Sequence, residues 1–388
     1  MKRKLLFTIL GCLFLSVVIG GNVDNYQIRS RDDNLYKNLE LFIGALKIVK
    51  ENYVEPVENK KLIYGALKGM LNSLDPYSAF LEPELKKELQ IETKGEFEGV
   101  GMEITLKDGI VTVVTPIEDT PAWKAGIKEG DKIIEIDGKS TKGMSPMEAA
   151  KLLRGKKGTK VTISILREGA TNLIKITLER DLIKIKSVKS KIFGPIGYVR
   201  ITGFQENTTE DLKKVLIDFN EKNIKGLIID LRNNPGGLLN VAIEVSEFFL
   251  PPNKLIVFTK GRDKKETASF YSKKEPLWTK PIVLLVNGGT ASGSEILFGA
   301  LKDNYSAFLS VGTKTFGKGS VQNLISLPDG SAIKLTIAKY YTPKGICIEG
   351  EGISPDIEVK LESEKPIIPA SEEDLQFKKA LEEIKKMI

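Results

Sequence analysis

The sequence predicts a multi-domain α/β protein: an α/β core, a small β domain inserted before it, and helical segments at both ends. Three observations carry this. Between residues 183 and 360, short apolar runs alternate with amphipathic stretches of helical period, the pattern of a largely parallel sheet covered by helices. Between 96 and 182 the texture changes to short strand-like runs separated by glycine-bearing turns. Residues 38–89 and 372–388 repeat apolar positions at helical spacing.

Residues 1–22 begin with Lys2, Arg3 and Lys4, and an apolar run follows to Ile19. That is an export signal, either cleaved as a signal peptide or kept as a short membrane anchor. Residues 24–35 are polar and read as a tether, so the N-terminal region is set at 23–95. Its helical face runs through Leu41, Ala45 and Ile48, then through Leu62, Ala66 and Leu67, with Pro56 between the two helices. A turn at Asp75-Pro76 leads to a further short helix.

The β domain is set at 96–182. Strands are predicted at 96–104, 110–115 and 160–166, and a helix at 146–153. The core is set at 183–360. A strand at 196–204 is followed by a helix with Leu212, Val215, Leu216 and Phe219 on one face, and Thr208 to Asp211 reads as a capping box. The buried strand 226–231 ends in Arg232-Asn233-Asn234-Pro235-Gly236-Gly237, and a helix aligning Leu238, Ala242, Val245 and Phe249 follows. In open α/β sheets ligands sit at strand C-termini, where this turn lies. Residues 361–388 form a proline-containing linker and a terminal helix, read as a packing or oligomerisation element.

The chemistry concentrates in residues 281–322. The apolar run 281–286 reads as a buried strand, Asn287-Gly288-Gly289 breaks it, and a helix follows with Ile296, Leu297, Ala300 and Leu301 on one face. Thr290, Ser292 and Ser294 lie on the turn, where the first helix N–H groups would point at a nucleophilic hydroxyl and an oxyanion site. Further on, Lys318 lies between two glycines and Gln322 follows four positions later, at a spacing that keeps both on one face. The chain has no histidine, which excludes a Ser-His-Asp triad and any histidine metal site. A base must then be a carboxylate or a lysine, and a lysine serves only when burial keeps it neutral. No acidic residue adjoins Lys318 in sequence, and the Gln322 amide could hold the amine without adding charge.

These residues resemble the active-site signature of the carboxyl-terminal processing proteases, also called tail-specific proteases. Residues 289–304 and 311–322 carry the match, and 75–78 (Asp-Pro-Tyr-Ser) resembles a stretch before the family's binding domain. The resemblance implies a crotonase-like α/β protease core and a Ser/Lys mechanism. It assigns Ser292 as nucleophile rather than Ser294, Lys318 as base and Gln322 as the residue orienting it. Residues 230–237 resemble the segment supplying oxyanion donors, which implies the backbone N–H groups of Gly236, Gly237 and Gly293. The stretch holding Ala125, Gly126, Gly130, Asp131 and Ile133 resembles a PDZ domain, which implies that a peptide C-terminus adds as a strand. Its carboxylate would meet the loop Gly99-Val100-Gly101-Met102.

Composition bounds the rest. Hydrophobic residues at 41% and charged residues at 28% suit a globular chain. The net charge of +7 includes the N-terminal lysines and arginine, and no basic block is interleaved with aromatics, so nucleic acid is not an expected partner. Of two cysteines, one lies in the export segment, so the mature chain forms no internal disulfide. No cofactor or metal is expected. The expected partners are proteins or peptides with free C-termini, with membrane attachment through the N-terminus and self-association as further expectations. The reading is an exported serine endopeptidase cutting near C-termini. Its rivals are a non-catalytic peptide-binding scaffold and an acyl-CoA-type enzyme on the same sheet topology.

Overall fold

The computed structural model describes residues 33–263, 265–360 and 368–388. The expected export segment, most of the tether and the core of the C-terminal linker lie outside these. The chain divides into two compact units, Met1–Thr93 with Ser187–Ile388, and Lys94–Lys186. No helix of the described residues is long and apolar enough to cross a membrane.

The first unit begins with α1 (Asp33–Asn52), α2 (Asn59–Asn72), β1 (Ala79–Leu81) and α3 (Pro83–Lys94). The expected tether gives way to helix already at Asp33. The predicted apolar face of α1 is not buried: Leu41 is 73% and Ile48 63% exposed.

The Lys94–Lys186 unit holds β2 (Glu96–Gly99), β3 (Met102–Lys107), β4 (Ile110–Pro116), α4 (Pro121–Lys124), β5 (Lys132–Ile136), β6 (Lys139–Ser140), α5 (Pro146–Leu153), β7 (Lys160–Leu166), β8 (Ile174–Glu179) and β9 (Asp181–Lys184). Strands pair in the order β3-β4-β5-β7-β8, with β6 on β5 and β2 on β9. The core packs Val111, Val113, Ile133, Ile136, Ile163 and Ile165, with Ala149 and Leu153 of α5. A capping box starts α5: Glu148 N donates to Ser145 Oγ and Ser145 N to Glu148 Oε2, with Pro146 at the first helical position.

The first unit resumes with β10 (Val188–Phe193), β11 (Ile196–Ile201), α6 (Thr208–Glu221), β12 (Gly226–Asp230), α7 (Leu239–Glu247), β13 (Leu255–Lys260), β14 (Glu266–Tyr271), β15 (Ile282–Val286), α8 (Gly293–Asn304), β16 (Phe308–Gly312), β17 (Ser320–Ser326), β18 (Ala332–Tyr341), β19 (Ile357–Glu358) and α9 (Leu375–Met387). The main sheet runs β10-β11-β12-β15-β16-β19, parallel except at the β10 edge. Its strands are continuously apolar because both faces are covered. Leu227, Ile229, Ile282, Leu284 and Val286 face one core with Leu216, Ala242 and Leu297. Ile228, Val283 and Leu285 face the other, with Phe377, Ala380 and Ile384 of α9.

One strand of this unit stands apart from the parallel sheet: β13 pairs antiparallel with β14 and β18, in a second sheet that also contains β17 and β1. One expectation for this unit is corrected. Thr208 to Asp211 is not a capping box, because α6 starts at Thr208 and its N-cap Asn207 makes no side-chain capping bond. The Thr208 hydroxyl is spent backwards, accepting from Gln205 N at 2.9 Å and bonding Ser187 Oγ at 2.7 Å.

Candidate active site

β15 ends at Val286, and the chain turns through residues 287–292 into α8. Ser292 is the N-cap, fully buried, with φ 54° and ψ −117°. A positive φ at a residue with a side chain stores roughly 1–3 kcal/mol and persists only where its surroundings over-determine it. Those surroundings are explicit. Thr290 N donates to Asn287 O at 2.8 Å and Ala291 N to Asn234 O at 3.0 Å. Thr290 Oγ1 donates to Leu231 O at 2.9 Å, and Ser294 Oγ to Asn234 O at 2.9 Å. Two of the three candidate hydroxyls on the turn are therefore spent on backbone carbonyls of the β12 loop.

The β12 loop packs directly against Ser292. A Cβ added at Gly236 would lie 2.8 Å from Ser292 Cβ and 2.7 Å from Gly293 N, and one at Gly237 would lie 2.2 Å from Phe204 O. Neither position admits a side chain. The three expected oxyanion donors thus gather at Ser292, but Gly236 is otherwise engaged: its N–H donates to Asn234 Oδ1 at 2.9 Å. Among the described hydrogen bonds none takes the N–H of Gly237 or Gly293.

Lys318 lies in the segment before β17, so it shares no strand face with Gln322; the strand starts at Ser320 and carries a bulge between Val321 and Gln322. The flanking glycines are needed for close packing. A Cβ at Gly319 would stand 2.3 Å from Glu349 N, and Gly317 has φ +87°. Lys318 is 7% exposed. Burial lowers its pKa to about 8, against the opposing pull of Glu349 and Glu295. The carboxylates missing from the neighbouring sequence are thus supplied from elsewhere in the fold. Gln322 is fully buried, and its Nε2 donates to Ser320 Oγ at 2.8 Å and Thr336 Oγ1 at 3.3 Å. Those bonds fix the amide with Oε1 as its remaining acceptor, which is buried and bonds no group among the described residues.

Sequence reasoning missed the residue that ties this together. Glu295 Oε2 accepts from Ser292 N and Lys318 N, both at 2.9 Å, while Oε1 accepts from Gly317 N at 2.8 Å and Thr315 Oγ1 at 2.6 Å. One buried carboxylate sets the backbone of the α8 turn against that of the lysine segment. Burial holds its pKa up, and these four donors partly offset that. The Ser-x-x-Glu spacing at 292–295 was the available signal. Lys334 of β18 was also missed. It is buried, and burial with Lys318 nearby lowers its pKa to about 8.

In the Lys94–Lys186 unit, the expected carboxylate loop joins β2 to β3. Its carbonyls are tied inward: Val100 O accepts from Ala122 N at 2.8 Å and Gly101 O from Ile117 N at 3.0 Å. Among the described hydrogen bonds none takes the N–H of Val100 or Gly101. Gly101 has φ +78°, and a Cβ there would collide with the Thr120 side chain. Among the described residues no group of three Cys, Asp or Glu side chains is placed to hold a metal ion.

Known proteins resemble this chain along most of its length. Residues 195–359 match the model of peptidase family S41, 112–167 that of the PDZ domain, and 21–85 that of the activating protease CtpB N-terminal domain. A carboxy-terminal-processing protease of Bartonella bacilliformis is 43% identical over 93% of this chain and 83% of its own length. The chain belongs to the carboxy-terminal processing proteases. Another member, from Bacillus subtilis, is 39% identical over 93% of this chain and 78% of its own length. Among solved structures, the photosystem II D1 C-terminal processing protease aligns with TM-score 0.51 and 32% identity, covering 84% of this chain and 86% of that one. The family accounts for the two units: a serine-type peptidase fold and a PDZ domain.

Proposed function

We propose that this processing protease is an exported endopeptidase that cuts proteins near their C-termini with a Ser292/Lys318 dyad, its PDZ domain holding the substrate tail. The observation that carries the reading is the Ser292 turn. The Thr290 and Ser294 hydroxyls are spent on carbonyls, and Glu295 ties the strained Ser292 backbone to that of a buried lysine.

In this reading neutral Lys318 takes the Ser292 hydroxyl proton as Oγ attacks the scissile carbonyl. The oxyanion accepts from Gly237 N–H and Gly293 N–H, a role Gly236 cannot share while it donates to Asn234. The Lys318 ammonium donates to the Gln322 Oε1 acceptor and then protonates the leaving amine. Neutral again, Lys318 deprotonates the water that cleaves the acyl-serine. The PDZ domain contributes strand addition at the Gly99–Met102 loop, with the tail carboxylate on the uncommitted N–H groups of Val100 and Gly101. The basic, apolar N-terminal segment supports export.

The test is cleavage of an unfolded protein with a free C-terminus by the chain lacking residues 1–22. The wild type should cut it. Lys318→Ala and Ser292→Ala should not, and Ser294→Ala should.

A further inference from the structure

The turn at residues 75–78 lies far from the catalytic segments in sequence, yet it packs against them. The ring of Tyr77 lies over Lys318 Nζ, 5.1 Å from ring centroid to nitrogen. Asp75 fixes the turn that presents it: Asp75 Oδ1 accepts from Tyr77 N at 2.7 Å and Ser78 N at 2.8 Å, and Oδ2 from Ser78 Oγ at 2.7 Å. The turn is anchored to β18, where Thr336 N donates to Ser78 Oγ at 3.1 Å and Thr336 Oγ1 to Asp75 Oδ1 at 3.2 Å. Thr336 Oγ1 also accepts from Gln322 Nε2. The N-terminal turn thus reaches the base by an aromatic face and its expected orienting amide by a hydroxyl.

We propose that Tyr77 is a positioning residue of the reaction, its ring face receiving the ammonium that Lys318 becomes on taking the proton of Ser292. This rests on the dyad reading. In that step the Ser292 O–H bond breaks, an Nζ–H bond forms, and positive charge appears beneath the ring. A π face attracts a desolvated ammonium and is indifferent to a neutral amine, so its stabilisation grows as the proton moves. The other groups acting on Lys318 pull in both directions: Glu295 from α8 and Glu349 from the loop after β18 favour the ammonium, and Lys334 of β18 opposes it. Asp75 acts on Tyr77 and Lys334. The ring contributes cation stabilisation without adding a carboxylate that would hold Lys318 protonated in the resting enzyme.

The experiment replaces Tyr77 with phenylalanine, then with phenylalanines carrying one, two and three ring fluorines, which drain the π face while keeping the shape. Leucine is a further substitution. The readouts are the pH dependence of kcat/KM on a peptide substrate and the thermal midpoint. Tyr77→Phe should keep both rate and profile. Successive fluorines should lower the plateau rate by about threefold to tenfold in all. They should also move the acidic limb to lower pH by about 0.5 to 1 unit, because the ammonium loses a stabilising partner. The thermal midpoint should hold across the fluorinated series. A flat series, a limb moving to higher pH, or loss of activity already in Tyr77→Phe overturns the proposal. Activity in Lys318→Ala overturns the dyad reading itself, whereas an inactive Lys318→Ala with a flat fluorine series overturns the role of Tyr77 alone.

Discussion

Two clusters of buried charge sit in the α/β unit, and they are built in opposite ways. At the end of β12, Arg232 donates to Asp230 at 2.9 and 2.6 Å, to Asp374 at 2.8 and 2.7 Å, and to Gln376 at 3.0 Å. Tyr198 adds a bond to Asp230 at 2.8 Å. Burial alone would lower the Arg232 pKa, but the hydrogen bonds to both carboxylates outweigh it and raise it, so the charge is locked in. Around Lys318 the carboxylate Glu295 is satisfied by backbone N–H groups and a hydroxyl, and the ammonium is left at a disadvantage. A fully compensated cluster holds α9 to the sheet. In the other, burial outweighs the pull of two carboxylates and keeps the Lys318 pKa near 8. The balance between burial and hydrogen-bonded carboxylates sets the two cations apart.

The comparison can be broken at either cluster. The largest effect belongs to the proposed dyad. Ser292→Ala and Lys318→Ala should each lower kcat/KM by roughly three orders of magnitude or more, and the double variant should be no worse than either single one. Steady-state kinetics on one peptide checks this, and additive losses would show that the two residues do not act as a unit. Next comes the clamp. Asp374→Ala leaves half of the guanidinium fork unmet and removes the cap on Phe377 N, so unfolding in denaturant should show a loss of about 3 kcal/mol. The variant molecules that remain folded should keep their turnover rate.

A smaller effect of opposite sign is expected for Lys318→Met, which should stabilise the protein by about 1 to 3 kcal/mol at pH 7 while abolishing cleavage. The folded pKa of about 8 lies below the value near 10.4 of an unfolded lysine, so between those values the unfolded chain binds more protons. Wild-type stability should therefore rise across that window, and the advantage of the methionine variant should shrink. The same ionisation places the acidic limb of kcat/KM near pH 8, with activity rising as Lys318 loses its proton. The smallest effect concerns the PDZ loop. Amidating the tail of a good substrate peptide should weaken its binding by about tenfold, read by calorimetry, because the N–H groups lose a charged acceptor.

The local grammar of the chain was readable. β15, the turn and α8 follow from an apolar run, three small polar residues and a helical stripe, and α5 and β7 span the residues their patterns predicted. What escaped reading was assembled from a distance or decided by competition. Tyr77 approaches Lys318 because β1 pairs with β18, and Lys334 because β18 pairs with β17; no local period encodes the first pairing. The Thr208 hydroxyl was claimed by Gln205 and Ser187, and the Gly236 N–H by the adjacent Asn234 side chain. The α1 stripe was read correctly as helical, but a period says nothing about what covers it. Glu295 lay within the recognised motif and was passed over because its partners are three backbone N–H groups and the Thr315 hydroxyl, most of them some twenty positions away.

The β1–β18 pairing also has a consequence in time. Thr336 N bonds Ser78 Oγ across 258 positions of sequence, so the sheet that brings Tyr77 to the lysine cannot close until most of the chain has been made. At about 5–20 residues per second, a ribosome spends on the order of tens of seconds between emitting the first strand and the last. For most of that interval the nascent chain lacks both Lys318 and the strand that receives the turn. A chain that stops short of β18 therefore lacks the pairing that brings Tyr77 to Lys318.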